Sequence, residues 1–142
     1  MKKVVVSACL LGRNCKYNGG NNESETVKAF LRGREVIEVC PEMLAGLGVP
    51  RTPIEIVNGV VMDKNGNCPD SVLRAAVAAI LRQISGEDIE CVILKSRSPT
   101  CGVKQVYDGS FSGRLVDGQG ILARALMDAG YKVIDAEDLK IP

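Results

Sequence analysis

The run Cys91-Val92-Ile93-Leu94, followed by Lys95-Ser96-Arg97-Ser98-Pro99-Thr100-Cys101-Gly102, decides how this chain is read. Consecutive apolar residues in so short a run describe a strand covered on both faces, as in parallel sheets. The run then breaks into hydroxyls, two cations, a proline, and a cysteine followed by glycine. Open α/β sheets bind their ligands there, outside the carboxyl ends of the strands. Pro99 stiffens the turn and offers no amide, while Gly102 lets the backbone come close to whatever Cys101 holds.

Outward from this stretch, the same strand-then-loop pattern recurs. Val4-Val5-Val6 leads into Ser7-Ala8-Cys9-Leu10-Leu11-Gly12, and Val36-Ile37-Glu38-Val39 leads into Cys40-Pro41-Glu42. Lys132-Val133-Ile134 reads as the last strand, followed by a short polar tail. Helical patterns lie between the strands. Ser24 is placed to cap a helix running to about Arg32, with Gly33 beyond its end. Asp70 is placed to cap a longer one, whose Val72, Leu73, Ala76, Val77, Ile80, Leu81 and Ile84 form a broad apolar stripe closed by Gly86. Asp117-Gly118-Gln119-Gly120 reads as the opening of a third helix, and Met43 to Pro53 as a loop. Asn58-Gly59 between two apolar runs is a two-residue hairpin signal, and Val106 to Gly113 reads as a second small hairpin. Strands alternating with helices predict the α/β class: one domain over residues 1–142, compact, three-layered and Rossmann/flavodoxin-like. Its sheet is expected to be mostly parallel with the first strand central, and to carry small β-hairpin insertions.

Composition narrows the chemistry. A net charge of +1 and an aromatic fraction of 4% leave no basic footprint and few stacking platforms, so nucleic acid is excluded as a partner. The apolar run after Met1-Lys2-Lys3 is too short for a signal-peptide core or a membrane span, which predicts a cytoplasmic protein without a membrane partner. The chain has no histidine, which excludes histidine triads, histidine general bases and histidine metal ligands. Six cysteines in a reducing compartment point to metal binding, catalysis or burial rather than to disulfides.

Any metal must therefore be carried by sulfur. If the strands are parallel neighbours, Cys9, Cys40 and Cys101 meet at one edge of the sheet, and three thiolates suit an iron–sulfur cluster or zinc. A cubane on three cysteines leaves one iron open. Closed zinc asks for a fourth ligand, for which Cys15 and Cys68 are the candidates. Cys91, opening an apolar strand, reads as a small core residue, and Cys68 otherwise as incidental. Glu42, two positions after Cys40, is a candidate acid/base. Ser98 stands three positions before Cys101. Gly118 and Gly120 could present amides to an anion or a carbonyl oxygen, and Ser7, Ser96 and Gly102 complete the candidate substrate contacts.

Taken together, Ser7-Ala8-Cys9-Leu10-Leu11-Gly12, Cys40-Pro41-Glu42, the stretch from Lys95 to Gly102, and Tyr107-Asp108-Gly109-Ser110-Phe111-Ser112-Gly113 resemble domain-of-unknown-function family 523. Its characterised members are thiouracil desulfidases, and the likeness covers essentially the whole chain. The resemblance implies a [4Fe-4S] cluster on Cys9, Cys40 and Cys101, with Glu42 as catalytic acid/base and Ser98 beside the substrate. The implied partner is a small thiolated base such as 2-thiouracil, converted to the oxo base with release of sulfide. In the implied mechanism the open iron acts as a Lewis acid toward sulfur while Glu42 activates water, with no net redox change. Thr100 departs from the serine that many relatives carry. The competing expectation, from another class, is a non-catalytic zinc- or cluster-binding module.

Overall fold

Successive side chains of a strand point to opposite faces, so strands that are apolar throughout need cover on both sides. The computed structural model describes residues 2–139; Met1 and the last three residues of the polar tail lie outside it. In chain order its first half contains β1 (Lys3–Ser7), α1 (Glu25–Leu31), β2 (Glu35–Val39), α2 (Pro41–Leu44), β3 (Ile54–Val57) and β4 (Val60–Asp63). Its second half contains α3 (Asp70–Ile84), β5 (Ile89–Leu94), β6 (Gln105–Tyr107), β7 (Leu115–Asp117), α4 (Ile121–Asp128) and β8 (Val133–Asp135).

Four strands form a parallel sheet in the order β2-β1-β5-β8, which is the flavodoxin-like order with β1 inside. Val4, Val6, Cys91 and Ile93 face one side and pack with Val27 and Leu31 of α1. Val5, Val92 and Leu94 face the other and pack with Leu73, Val77 and Ile80 of α3 and Leu122 and Leu126 of α4. Helices thus cover both faces, and the three layers expected from the sequence are present. Each fully buried Leu, Ile or Val contributes about 1.5–3 kcal/mol, so these two clusters are what hold the sheet.

Strand order also fixes where the loops part. The chain leaves β1 toward β2 on one side, and leaves β5 toward β8 on the other. Between the carboxyl ends of β1 and β5 the connections diverge, and a crevice opens there.

The remaining pieces refine the expectations. Asn58 and Gly59 both have positive φ, 51° and 81°, as a tight hairpin turn between β3 and β4 requires. The second hairpin is longer than Val106 to Gly113. Gln105 pairs with Asp117 and Tyr107 with Leu115, so Asp117 ends β7 instead of opening α4, which starts at Ile121 with Gly120 as its cap. Asp70 is likewise the first residue of α3 and not its cap. Its carboxylate accepts from the Val61 amide at 2.9 Å and from Arg74 at 2.9 Å, fastening the helix to β4. Ser24 does cap α1, its side chain accepting from the Val27 amide. The stretch after Cys40 is not all loop: Cys40 caps the short helix α2, with Pro41 at its first position, where a missing amide costs nothing.

Candidate active site

β1 and β5 deliver their loops side by side. The Lys95 amide donates to Ser7 Oγ at 3.0 Å, tying the two loop entrances together across the crevice. β2 adds Cys40 and Glu42, because the turn into α2 follows at once. A cavity of about 480 Å³ lies at this junction, and Cys9, Cys15, Cys40 and Cys101 all contribute to its wall. Glu42, Ser7, Ser96 and Ser98 line it as well, as do the cations Lys16, Arg51, Lys95 and Arg97.

The thiols are free. Burial pushes the Cys40 thiol well up, and the charge of Glu42 pushes it further; Glu42 Oε2 accepts from Cys40 Sγ at 3.4 Å. Burial also raises Cys101, again helped by Glu42 and opposed by a hydrogen bond with Ser7. Cys9 is raised by burial and eased by Asn22 and by the positive charge of Lys95. The other carboxylate oxygen, Glu42 Oε1, accepts from the hydroxyl of Thr100, which is fully buried. Ser98 Oγ accepts from the amides of Thr100 and Cys101, each at 3.1 Å.

Three of the predicted substrate contacts lie elsewhere. Gly102, Gly118 and Gly120 are absent from the cavity wall. The Gly118 amide donates to the Lys104 carbonyl at 3.1 Å and the Gly120 amide to the Gly102 carbonyl at 2.8 Å. Ile121 and Leu122 give their amides to the Pro99 and Thr100 carbonyls. The start of α4 is therefore a clamp on the cysteine-bearing loop, and its amides are already engaged. Gly120 serves by close approach instead: a Cβ there would stand 2.4 Å from the Thr100 carbonyl carbon.

Other residues of the site carry no local sequence signal. Cys15 is buried, within reach of Cys9 and Cys40. It is held from a distance: Arg51 donates to its carbonyl at 2.8 Å and to that of Gly48 at 2.9 Å. Glu55, also buried, accepts from the Gly109 amide at 2.9 Å and the Phe111 amide at 3.2 Å, and so sets the loop that brings Tyr107 and Gly113 to the cavity. Cys68 is exposed and away from the cavity, and Cys91 packs in the core beneath α1.

The zinc alternative finds no support in this geometry. A tetrahedral zinc draws its thiolates to about 2.3 Å from a single ion, and among the described residues no three Cys, His, Asp or Glu side chains stand close enough to share one. Thiols spread over one cavity wall, without histidine, are a donor set suited to a polynuclear iron–sulfur group held at its corners. Cys68 is too exposed and remote to be a fourth ligand.

A solved structure described as "[4Fe-4S]-dependent thiouracil desulfidase TudS (DUF523Vcz)" superposes with a TM-score of 0.90 at 29% sequence identity, over 98% of this chain and 93% of that one. "Uncharacterized protein YbbK" of Bacillus subtilis (strain 168) is 33% identical over 146 aligned positions, covering 96% of this chain and 97% of its own length. The family described as 2-thiouracil desulfurase matches residues 4–138, nearly the full length, and the chain belongs to that family.

Proposed function

We propose that this protein is a thiolated-pyrimidine desulfidase in which Cys9, Cys40 and Cys101 hold a [4Fe-4S] cluster and Glu42 moves the proton. The observation that carries the reading is the meeting of these thiols with the buried Glu42 carboxylate, which touches Cys40, on a single cavity wall at the divergence of β1 and β5. When bound, the cluster supplies an open iron, a Lewis acid toward the sulfur of a thiocarbonyl. Glu42 takes a proton from water as its oxygen attacks the ring carbon, and gives a proton to the departing sulfur. C=S and H₂O thus become C=O and H₂S, with no electron gained or lost. Lys95, lying near Cys9, favours the anions that appear along the way. Because the thiols are protonated in the metal-free protein, loading must release protons.

The test is anaerobic reconstitution followed by iron and sulfide counts, an absorption spectrum, and sulfide release from 2-thiouracil. Alanine at Cys9, Cys40 or Cys101 is expected to abolish both the cluster and turnover, whereas Cys91→Ala keeps both. Full cluster content after loss of Cys40, or cluster loss in Cys91→Ala, refutes the ligand set.

A further inference from the structure

Glu55 is a buried carboxylate of which the fold uses only half. It is 8% exposed and borders the cavity from β3. Its Oε1 accepts from the Gly109 amide at 2.9 Å and the Phe111 amide at 3.2 Å, which fixes the 108–113 loop with Phe111 at a φ of 58°. A carboxylate oxygen has room for two donors, so Oε1 is filled. Among the described residues, Glu55 takes part in no ion pair and no side-chain hydrogen bond beyond those two. No side-chain oxygen sealed inside the described residues lacks a partner, so Oε2 opens on free space, and the space Glu55 borders is the cavity.

The chemistry of the wall says what that oxygen can take. Glu42 is the other carboxylate there, and its two oxygens face Thr100 and Cys40. Glu55 Oε2 is thus the carboxylate oxygen of this wall that faces no protein partner. A cationic ligand would also meet Lys16, Arg51, Lys95 and Arg97, whereas a neutral N–H group would not be repelled. Val39, Pro53, Ile54 and Tyr107 supply apolar surface for a flat ring. We infer that Glu55 is a specificity-determining residue: its Oε2 accepts a ring N–H flanking the thiocarbonyl. The site then selects cyclic thioamides that keep this N–H over their N-alkylated counterparts. This rests on the thiolated-pyrimidine reading of the cavity.

Uracil keeps both ring N–H groups and has no sulfur to release, so it is the probe, titrated by calorimetry into cluster-loaded protein. In Glu55→Gln only the amide oxygen can meet the two loop amides, so the NH2 replaces Oε2 and turns a donor toward the ring. Melting temperature and iron content should match the parent. Uracil should bind about 10- to 100-fold more weakly, the worth of a hydrogen bond to a carboxylate. KM for 2-thiouracil should rise by the same factor, with kcat unchanged. Either 1-methyluracil or 3-methyluracil should show that loss with the parent protein, and a much smaller one with Glu55→Gln. Parent-like uracil affinity in a folded Glu55→Gln protein overturns the proposal and leaves Glu55 a loop fastener. A methyl penalty equal in both proteins overturns it too, as does a lower kcat at unchanged KM. If Glu55→Gln does not fold, the methyl series on the parent decides: loss with one derivative upholds the proposal, and equal affinity for all three compounds overturns it. A parent protein that binds uracil with the expected pattern but releases no sulfide from 2-thiouracil sinks the desulfidase reading instead.

Discussion

Replacing Gly120 by alanine tests the clamp at the start of α4. The backbone there has φ −68° and ψ 165°, which any residue adopts, so the change carries no conformational strain. The whole effect must be steric. The new Cβ would lie 2.4 Å from the Thr100 carbonyl carbon, 2.5 Å from its oxygen and 2.9 Å from the Cys101 nitrogen. Real Cβ atoms essentially never come under 3.0 Å, so helix and loop must separate by at least the 0.6 Å difference between 2.4 Å and that limit. All three obstructing atoms are backbone and cannot swing aside. Separation lengthens the bonds from the Gly120, Ile121 and Leu122 amides to the 99–102 loop, now 2.8, 3.0 and 2.8 Å. Overpacking of this kind costs about 1–3 kcal/mol, which for a chain of this size lowers the melting temperature by about 3–10 °C. It also moves Cys101, so iron uptake should fall. Gly118→Ala is the control. Its Cβ would sit 3.4 Å from Val106 Cγ2, an ordinary contact, and it should behave as the parent protein. If the two glycines instead offered amides to a ligand, both variants would keep those amides and behave alike. Thermal melts with iron counts decide: a Gly120→Ala protein that melts and loads iron like the parent refutes the clamp.

Glu42→Gln keeps size and one hydrogen-bonding oxygen but loses the base, so sulfide release should drop by about 10²-fold or more with cluster content normal; unchanged turnover would leave Glu42 a spectator. Cys15→Ala should retain iron and sulfide counts, because three other thiols suffice to hold the cluster, and a count reduced to zero would make Cys15 a ligand. Asp63 accepts from the Asn67 side chain and from the Asn65 and Asn67 amides, with the Asn67 side chain chiefly responsible for holding its carboxyl below the usual range. A depressed folded value means stability that is present above the unfolded value of about 3.9 and lost as the pH falls through the folded one. Melting temperatures from pH 5 downward should therefore fall less steeply in Asp63→Asn than in the parent, and parallel curves would contradict this.

How much of this was legible in the chain depends on the reach of each interaction. The four strands were, because an unbroken apolar run bounded by polar loops has few other destinations than a covered parallel sheet. Once the sheet is parallel, Cys9, Cys40 and Cys101 follow, each being the first or a nearby residue beyond a carboxyl end. Cys15 was not. Its burial depends on Arg51, 36 residues later, reaching back to the Cys15 carbonyl. The glycines before α4 misled for a physical reason. A helix start with two glycines looks the same in sequence whether its amides face a ligand or another loop, and here the 99–102 carbonyls fill them. Asp70 misled similarly, since an aspartate at a helix start can cap the helix or, as here, reach a neighbouring strand.

The electrostatics give the strongest reason to assign Glu42 to chemistry. A site built only to hold a cluster would favour thiolates, by cations or donated hydrogen bonds. Lys95 near Cys9 and Ser7 near Cys101 act in that direction. Glu42 acts against it, since its charge makes ionisation of Cys9, Cys40 and Cys101 harder. Burying a carboxylate beside three prospective anions is costly unless it is hydrogen-bonded, and the Thr100 hydroxyl, itself fully buried, is committed to that purpose. Ligand holding alone gives Glu42 no purpose, and packing would be served by a neutral side chain of the same size. The proton transfer proposed above is a role that would use the charge. It also predicts an asymmetry: Glu42→Gln should load its cluster at least as readily as the parent while turning over far more slowly.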